Sequence, residues 1–211
     1  INLENTQNVM GGVALTPEYT QQVVDFAHAR GIRVHIDGAR IFNAAVALGV
    51  EPRELVAGAD SVTFCLSKGL SAPVGSVLCG SKAFINEARK NRKLVGGGMR
   101  QAGILAAAGI VALEQMAGRL AEDHANARLL AEAIAQTPGL HVDLARVQTN
   151  MVYFDLAPEL PIDAAELCRR ADQHRVRMLD TGPRRIRAVT HCWITRDEVI
   201  EAGQVIQQIL D

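Results

Sequence analysis

The sequence predicts an α/β domain followed by a smaller α+β domain. From Ile1 to about Gln136, short β-branched runs alternate with helical patterns, which predicts a parallel or mixed sheet covered by helices. After Thr137-Pro138-Gly139 the pattern changes to short strands with two helices. We expect the boundary inside a long helix near Glu122, which gives domains of residues 1–122 and 123–211.

Start and stop signals locate the individual elements. Thr16 is an N-cap residue before Pro17, and Gly31 and Gly49 are stop signals for the first two helices. The predicted helices cover residues 17–30, 41–48, 82–93, 100–136 (one or two helices), 164–174 and 195–210. The predicted strands cover residues 1–4, 32–36, 61–66, 75–79, 141–144, 151–156, 177–179 and 186–189.

Composition excludes several classes of protein. The 211 residues are 48% hydrophobic and 21% charged with a net charge of -1, which argues against disorder and against nucleic-acid binding. Gly and charged residues interrupt the apolar runs, so we expect no membrane segment. The four cysteines are far apart and form no Cys-x-x-Cys, so we expect no metal site, no disulfide framework and a cytoplasmic location.

The first residues, Ile1-Asn2-Leu3-Glu4, contain no initiator Met and no secretory signal pattern. We therefore expect this sequence to be part of a longer chain, with an N-terminal segment of the same protein as a partner.

Two predicted strands end in residues that carry chemistry. Asp37 follows Val34-His35-Ile36, and Lys68 follows the strand that ends near Leu66. Open α/β sheets place their sites at such carboxyl ends. A lysine amine forms an imine with an aldehyde cofactor, and an acid keeps a pyridine nitrogen protonated, so the pair suits pyridoxal phosphate. Burial would favour this chemistry, because desolvation lowers the pKa of a lysine and frees the neutral amine. The alternative is a structural ion pair or two helix caps.

Several motifs, in order along the chain, give a more specific prediction. The motifs are Leu3-Glu4-Asn5-Thr6, His35-Ile36-Asp37-Gly38-Ala39-Arg40, Leu66-Ser67-Lys68-Gly69-Leu70, Ala72-Pro73-Val74-Gly75-Ser76, Gly96-Gly97-Gly98-Met99-Arg100-Gln101-Ala102-Gly103 and Gln148-Thr149-Asn150-Met151-Val152. Together they resemble the low-specificity L-threonine aldolases of the β-eliminating lyase group. That resemblance implies a fold-type-I pyridoxal-phosphate-dependent large domain, of which residues 1–122 are the C-terminal part, and a small C-terminal domain.

The resemblance also implies roles for individual residues. Lys68 is the implied attachment point of pyridoxal 5'-phosphate, and Asp37 the acid that faces its ring nitrogen. Arg40 and Arg187 are the implied ligands of the substrate carboxylate. Implied further cofactor contacts are Ser67, Lys93 and Arg100, the last two across a subunit interface of a homodimer or homotetramer.

The same reasoning leaves other residues open. Arg184 and Arg185 compete with Arg187, or they belong to a solvated basic loop. His35 is expected to be structural, and no histidine is assigned as the general base. Ser71 stands where the family pattern predicts a second glycine, a replacement that should be tolerable if its backbone angles are ordinary.

The implied reaction is cleavage of L-threonine, L-allo-threonine and related β-hydroxy-α-amino acids to glycine and an aldehyde, as in glycine biosynthesis and threonine catabolism. Two alternatives on the same scaffold are β-elimination and the cleavage of phenylserine or β-hydroxyaspartate. A non-catalytic module that lost the cofactor is disfavoured, because Asp37 and Lys68 are both present. A nucleotide-binding domain is disfavoured by the lack of Gly-x-Gly-x-x-Gly after a strand.

Overall fold

The computed structural model describes residues 1–211 and divides into two compact units. Unit 1 comprises residues 1–6 and 14–119, and unit 2 comprises residues 7–13 and 120–211. The predicted domains, 1–122 and 123–211, differ from these units chiefly in residues 7–13. Nothing in the sequence pattern indicated that this short segment belongs with the C-terminal unit.

Unit 1 contains a mixed sheet of four strands in the order β1-β2-β3-β4. The strands are β1 (Asn2–Glu4), β2 (His35–Asp37), β3 (Ser61–Cys65) and β4 (Ser76–Gly80). The first three are parallel and β4 is antiparallel to β3. Glu4 pairs with Asp37, and Asp37 pairs with Thr63. The carboxyl ends of β1, β2 and β3 therefore meet at one edge of the sheet.

The helices of unit 1 begin close to the predicted signals. They are α1 (Pro17–His28), α2 (Ile41–Leu48), α3 (Lys82–Leu94) and α4 (Gly103–Val111). The Thr16 side chain accepts the Tyr19 N–H at the start of α1. Gly49 adopts a left-handed φ of 67° and ends α2, as predicted. α1 ends at His28, before Gly31, because the last N–H groups turn back onto Asp25, Ala27 and His28.

Asp60 closes the connection into β3. Its carboxylate accepts the Val34 N–H at 2.8 Å and contacts His28 Nε2 at 3.0 Å, and it also pairs with Arg33. The Val34 amide, followed by His28 and Arg33, holds the pKa of Asp60 well below its usual range. This side chain therefore ties the end of α1 to the residues that flank β2 and β3.

A single helical stretch, Gly103–Ala135, is long and apolar enough to cross a membrane by length and composition. The expectation that every apolar run is too short was therefore wrong for this stretch. The stretch is irregular, with a π-turn over Ala112–Met116 and a 3₁₀ turn over Ala117–Arg119. From Leu120 onward, its buried residues Ala127, Ala131 and Ile134 belong to the core of unit 2. The part before Leu120 differs, because the most apolar 18-residue window of the stretch is only 17% buried.

Unit 2 contains an antiparallel sheet in the order β5-β6-β8-β7. Its strands are β5 (Leu140–His141), β6 (Met151–Leu156), β7 (Leu179–Gly182) and β8 (Arg185–Val189). Its helices are α5 (Leu120–Ala135), α6 (Ala164–Gln173) and α7 (Arg196–Leu210). Val152, Phe154, Ile186 and Ala188 point from the sheet into one core with these helices. Thr195 caps α7 in a capping box with Glu198.

Two predicted strands of unit 2 were placed wrongly. The strand predicted over residues 141–144 is limited to Leu140–His141, because Asp143 caps a 3₁₀ turn by accepting the Ala145 N–H. The strand predicted over residues 177–179 forms instead at Leu179–Gly182. There the chain is still leaving α6, with a φ of 64° at Arg175 and the Val176 N–H bonded to Ala171.

Residues 7–13 pack on the sheet face opposite the helices, and we call them the strap. Side chains alternate along β6, so Met151 and Tyr153 point away from the helical core. A Cβ at Gly12 would lie only 2.5 Å from Met151 Cε, and a Cβ at Gly11 would lie 3.8 Å from Tyr153. Met151 is only 1% exposed, because the strap covers it.

We predict that His124 in α5 makes the fold sensitive to acid. Burial lowers the pKa of His124 to about 4, below the ordinary value of 6.5. The unfolded chain therefore binds a proton between these two pH values while the folded chain does not, and stability falls as pH drops through this range. His124→Gln should lose less stability than the wild type between pH 7 and pH 4, as measured by urea midpoints.

The matched control is His141→Gln, which removes the ring of an exposed histidine. An equal acid loss in the wild type and in His124→Gln would contradict the prediction.

Candidate functional site

Asp37 lies at the carboxyl edge of the unit 1 sheet, in a backbone that allows little variation. The Gly38 N–H donates to the Thr63 carbonyl at 2.7 Å, which continues the β2–β3 pairing past Asp37. A Cβ at Gly38 would lie 2.9 Å from that same oxygen and 3.0 Å from Ile41 Cβ, so only glycine fits. One oxygen of Asp37 accepts the Ala39 N–H at 3.1 Å. The carboxylate is thus fixed at the start of the turn into α2.

His35 lies on the same face of β2 as Asp37, two residues earlier. Its Nδ1 lies 2.8 Å from Ser61 Oγ, and its Nε2 lies 3.1 Å from Thr63 Oγ1. Both ring nitrogens therefore bond to side chains of β3. This agrees with the structural role predicted for His35, which aligns the two strands whose ends carry Asp37 and Lys68.

Lys68 lies in the turn that follows β3. The turn is closed by the Ser71 N–H to the Lys68 carbonyl at 2.8 Å and by the Ala72 N–H to the Leu66 carbonyl at 2.9 Å. Gly69 and Leu70 are buried, whereas Ser67 and Lys68 are exposed. Lys68 is therefore exposed in this chain, and the burial that would favour its neutral amine is not seen there.

The condition stated for Ser71, ordinary backbone angles, is not met. Ser71 has a φ of 60°, in the left-handed region that favours glycine. Its hydroxyl contacts the Gly69 carbonyl at 3.3 Å, a long hydrogen bond. The close turn after Lys68 forces this conformation, because the Ser71 and Ala72 amides both point back to Leu66 and Lys68.

The remaining predicted site residues of unit 1 differ in their burial and in their position relative to this edge of the sheet. Arg40 is half-buried at the N-terminus of α2, where its carbonyl accepts the Ala44 N–H. Lys93 and Arg100 are both exposed, at the end of α3 and before α4. No hydrogen bond or ion pair joins Lys93 or Arg100 to Asp37 or Lys68. The structure therefore brings Asp37, Arg40 and the Lys68 turn to neighbouring strand ends and leaves Lys93 and Arg100 on the surface.

Arg187 lies in unit 2, on the strap side of β8 opposite Tyr153. Its Nη1 donates to the Asn8 Oδ1 at 2.8 Å, while its Nε is buried without a hydrogen-bond partner. A buried cationic N–H group without an acceptor is costly, and such groups often mark the place of a ligand. Arg187 is therefore equipped to receive an anionic oxygen.

Arg184 and Arg185 have other partners. The Arg184 guanidinium donates to the carbonyls of Leu156, Leu160 and Ile162, so it is a structural residue rather than part of a solvated loop. Arg185 lies over the Tyr153 ring at 5.2 Å and 3.8 Å from Asp155. Arg187 differs from both, because its guanidinium makes one hydrogen bond and its buried Nε has no hydrogen-bond partner.

Two residues at these sites escaped the sequence reasoning. Thr6, which is 0% exposed, follows β1 at the same edge as Asp37, and its hydroxyl has no hydrogen-bond partner. Asn8 holds Arg187. Thr6 lies in the Leu3-Glu4-Asn5-Thr6 motif, so the sequence alone could have identified it as a site residue. No sequence pattern could have identified Asn8, because its partner Arg187 is distant in sequence.

Comparisons with known proteins identify the relatives of this chain. Residues 1–157 match the model of the beta-eliminating lyase family. The chain is 45% identical over 210 residues to low-specificity L-threonine aldolase 1 of Arabidopsis thaliana, covering all of this chain and 59% of that protein. It is 43% identical over 203 residues to the low specificity L-threonine aldolase of Escherichia coli K12, covering 96% of this chain and 58% of that protein. The chain thus spans less than two thirds of these relatives.

Solved structures support the predicted fold class. A Leishmania major threonine aldolase superposes with a TM-score of 0.76 at 16% identity, over 100% of this chain and 60% of that one. A PLP-dependent aminotransferase from Streptococcus suis gives a TM-score of 0.76 at 15% identity, over 100% of this chain and 57% of that one. At such identities the likeness concerns the fold, and it agrees with the predicted fold-type-I architecture.

We predict that Ser71→Gly stabilises the protein. A left-handed residue other than glycine costs about 1–2 kcal/mol, and the extra freedom of glycine in the unfolded chain offsets part of the gain. The net increase in the free energy of unfolding should be about 0.5–1 kcal/mol, measured by urea denaturation.

Ser71→Ala is the control, since it keeps the Cβ and removes only the hydroxyl. It should give no gain. A gain of equal size in Ser71→Ala would assign the effect to the hydroxyl rather than to φ.

Proposed function

Because the chain belongs to the beta-eliminating lyase family, we propose that its protein is a pyridoxal-phosphate-dependent lyase that cleaves L-threonine and L-allo-threonine to glycine and acetaldehyde. The activity is proposed for the whole protein, because the chain spans 59% of the plant relative. The observation that carries the proposal is the placement of Asp37 and the Lys68 turn at adjacent parallel strand ends.

The residues at this edge fit the cofactor. A carboxylate, a primary amine and the Ser67 hydroxyl match a pyridine nitrogen, an aldehyde and a phosphate in turn. Thr6 adds a buried hydroxyl that has no partner in the protein. Lys68 would hold the cofactor covalently and Asp37 would face its ring nitrogen. Ser67, Arg40, Lys93 and Arg100 would supply further contacts, the last two as an inference from the family alone.

When bound, the cofactor supplies an electron sink for the cleavage of a bond to Cα. Asp37, one of whose oxygens accepts the Ala39 N–H, would face the ring nitrogen and keep it protonated. Arg40 and Arg187 bind the substrate carboxylate, since guanidinium groups pair with carboxylates in a fixed, bidentate geometry. In the overall reaction the Cα–Cβ bond breaks, the β-hydroxyl proton is lost, and Cα gains a proton to give glycine.

Other reactions on the same scaffold remain alternatives within the family. Cleavage of phenylserine or β-hydroxyaspartate gives glycine with a different aldehyde, while β-elimination gives a keto acid and ammonia. The named functions of the Arabidopsis and Escherichia coli relatives favour the aldolase reaction. Product analysis with threonine distinguishes the reactions, because only aldol cleavage gives equal amounts of glycine and acetaldehyde.

We predict that Lys68→Ala abolishes steady turnover of threonine and removes the covalent cofactor. Without the Lys68 amine, no imine forms between protein and cofactor. After borohydride reduction, peptide mass mapping of the wild type should show a pyridoxyl-phosphate adduct on the peptide that contains Lys68.

Lys90→Ala is the matched control, because Lys90 is an exposed lysine that pairs only with Glu87. It should keep both the adduct and the activity. Full turnover by Lys68→Ala, or an adduct on another lysine of the wild type, would contradict the proposal.

We further propose that the protein is a cytoplasmic homo-oligomer, a dimer or tetramer. Support comes from the large apolar side chains exposed along residues 94–113, among them Leu94 (82% exposed), Val95 (85%) and Ile104 (79%). Such a patch on a soluble protein is usually covered by another polypeptide. The four cysteines are all free, which suits a reducing compartment.

Analytical ultracentrifugation should give at least twice the mass of one chain. Leu94→Glu and Ile104→Glu should each shift the mass toward the monomer. A monomeric wild type would contradict this part of the proposal.

A further inference from the structure

The strap carries a residue that acts on Arg187. It is held against the sheet of unit 2 at three points: Thr149 Oγ1 donates to the Gly12 carbonyl at 3.0 Å, Arg146 Nη2 donates to the Met10 carbonyl at 2.9 Å, and Arg187 Nη1 donates to Asn8 Oδ1 at 2.8 Å. In the first two of these hydrogen bonds the strap supplies a backbone carbonyl, and in the third it supplies the side chain of Asn8.

The strap forms hydrogen bonds within its own backbone. Its backbone closes through the Gly12 N–H to the Gln7 carbonyl at 3.1 Å and the Gly11 N–H to the Asn8 carbonyl at 3.0 Å. Gly12, with a φ of 74°, lies where any Cβ would overlap Met151 and Thr149. The position of Asn8 is therefore set by close packing around Gly12 and not only by its own hydrogen bond.

The bond to Asn8 uses one side of the guanidinium group. Nη1 is the nitrogen on the side away from the Nε hydrogen, so the edge formed by Nε and Nη2 makes no hydrogen bond to the protein. This edge presents two parallel N–H groups, the geometry that binds a carboxylate in bidentate fashion. Asn8 thus orients Arg187 without occupying the edge that a carboxylate needs.

The acceptor is an amide oxygen, which carries no net charge. A carboxylate in the same place would accept the same hydrogen bond and would also neutralise Arg187. Two carboxylates a few ångströms apart repel each other in a partly buried site. A neutral acceptor therefore keeps the positive charge of Arg187 for the ligand.

We propose that Asn8 is a positioning residue for the proposed reaction: it fixes Arg187 through a neutral hydrogen bond and keeps the Nε–Nη2 edge and the charge for the α-carboxylate of the substrate. This rests on the carboxylate-binding role of Arg187 in the proposed function. The contribution of Asn8 is to affinity for carboxylates, not to bond cleavage.

The test compares two probes that differ only in the carboxylate, glycine and glycinamide. Their dissociation constants are measured by calorimetry on the full-length, cofactor-loaded protein for the wild type, Asn8→Ala and Asn8→Asp. Loss of one charge-assisted hydrogen bond to Arg187 should weaken glycine binding by roughly tenfold in Asn8→Ala. Glycinamide binding should stay unchanged.

Asn8→Asp separates positioning from simple anchoring. It keeps the size of Asn8 and an acceptor for Nη1, so the strap should stay folded. Glycine binding should nevertheless weaken at least as much as in Asn8→Ala, because the new carboxylate neutralises Arg187. Recovery of glycine affinity in Asn8→Asp would overturn the proposal, since any acceptor would then suffice. Equal weakening of glycine and glycinamide in Asn8→Ala would also overturn it.

Two controls keep this inference separate from the proposed function. Asn91→Ala, which truncates an exposed asparagine of α3, should leave both probes unchanged. Arg187→Ala should reduce the discrimination between glycine and glycinamide to the part that Arg40 supplies, and undiminished discrimination would overturn the carboxylate role of Arg187 itself. If the wild type fails to cleave threonine but Asn8→Ala still loses glycine selectively, the reaction is wrong while the role of Asn8 stands.

In the kinetics of threonine cleavage, Asn8→Ala should raise KM by a similar factor and leave kcat near the wild-type value. A crystal structure of Asn8→Ala supplies a readout apart from activity. The Arg187 guanidinium should adopt a different or disordered orientation in it. An unchanged Arg187 in Asn8→Ala would overturn the proposal.

Discussion

The parallel pairing of β2 with β3 is the constraint on which the candidate site of unit 1 depends. Because Asp37 pairs with Thr63, the turns after the two strands leave the sheet at the same edge. The bond from the Gly38 N–H to the Thr63 carbonyl continues this pairing beyond the last regular residue. His35 reinforces it from one face by bonding to Ser61 and Thr63. A shift by one residue would reverse the faces of Asp37 and His35, since side chains alternate along a strand.

The two faces of the unit 2 sheet are packed in different ways. One face packs in the ordinary way against three helices, through Val152, Phe154 and Ile186. On the other face the strap packs against Met151 and Tyr153. Arg187, in the middle of β8 on this same face, donates a hydrogen bond to Asn8 of the strap.

Sequence reasoning recovered what depends on local signals. Thr16 and Gly49 mark helix ends through chemistry that operates within a few residues, and both were located correctly. The strand ends that carry Asp37 and Lys68 were also found, because apolar runs followed by Gly-flanked polar residues are visible in one dimension. The roles of Arg40, Ser67, Lys93 and Arg100 stay predictions, since no contact in the structure tests them.

What sequence reasoning missed depends on tertiary contacts. The φ of Ser71 is set by amides that fold back on Lys68 and Leu66, and a list of residue types does not contain that turn. The strand expected at residues 177–179 begins later in the chain, at Leu179, because the end of α6 still determines the conformation of the preceding residues. Asn8 meets Arg187 across 179 positions of sequence, so no local pattern relates them.

The strap also changes how this polypeptide divides into modules. Residues 7–13 belong to unit 2, although the residues on either side of them belong to unit 1. The side chain of Asn5 closes the base of this excursion by bonding to both the N–H and the carbonyl of Leu15. A gene segment that encodes residues 120–211 alone would therefore lack the residues that pack against Met151 and Tyr153. Unit 2 is consequently not encoded by one continuous segment, and recombination at residue 120 would transfer it without residues 7–13.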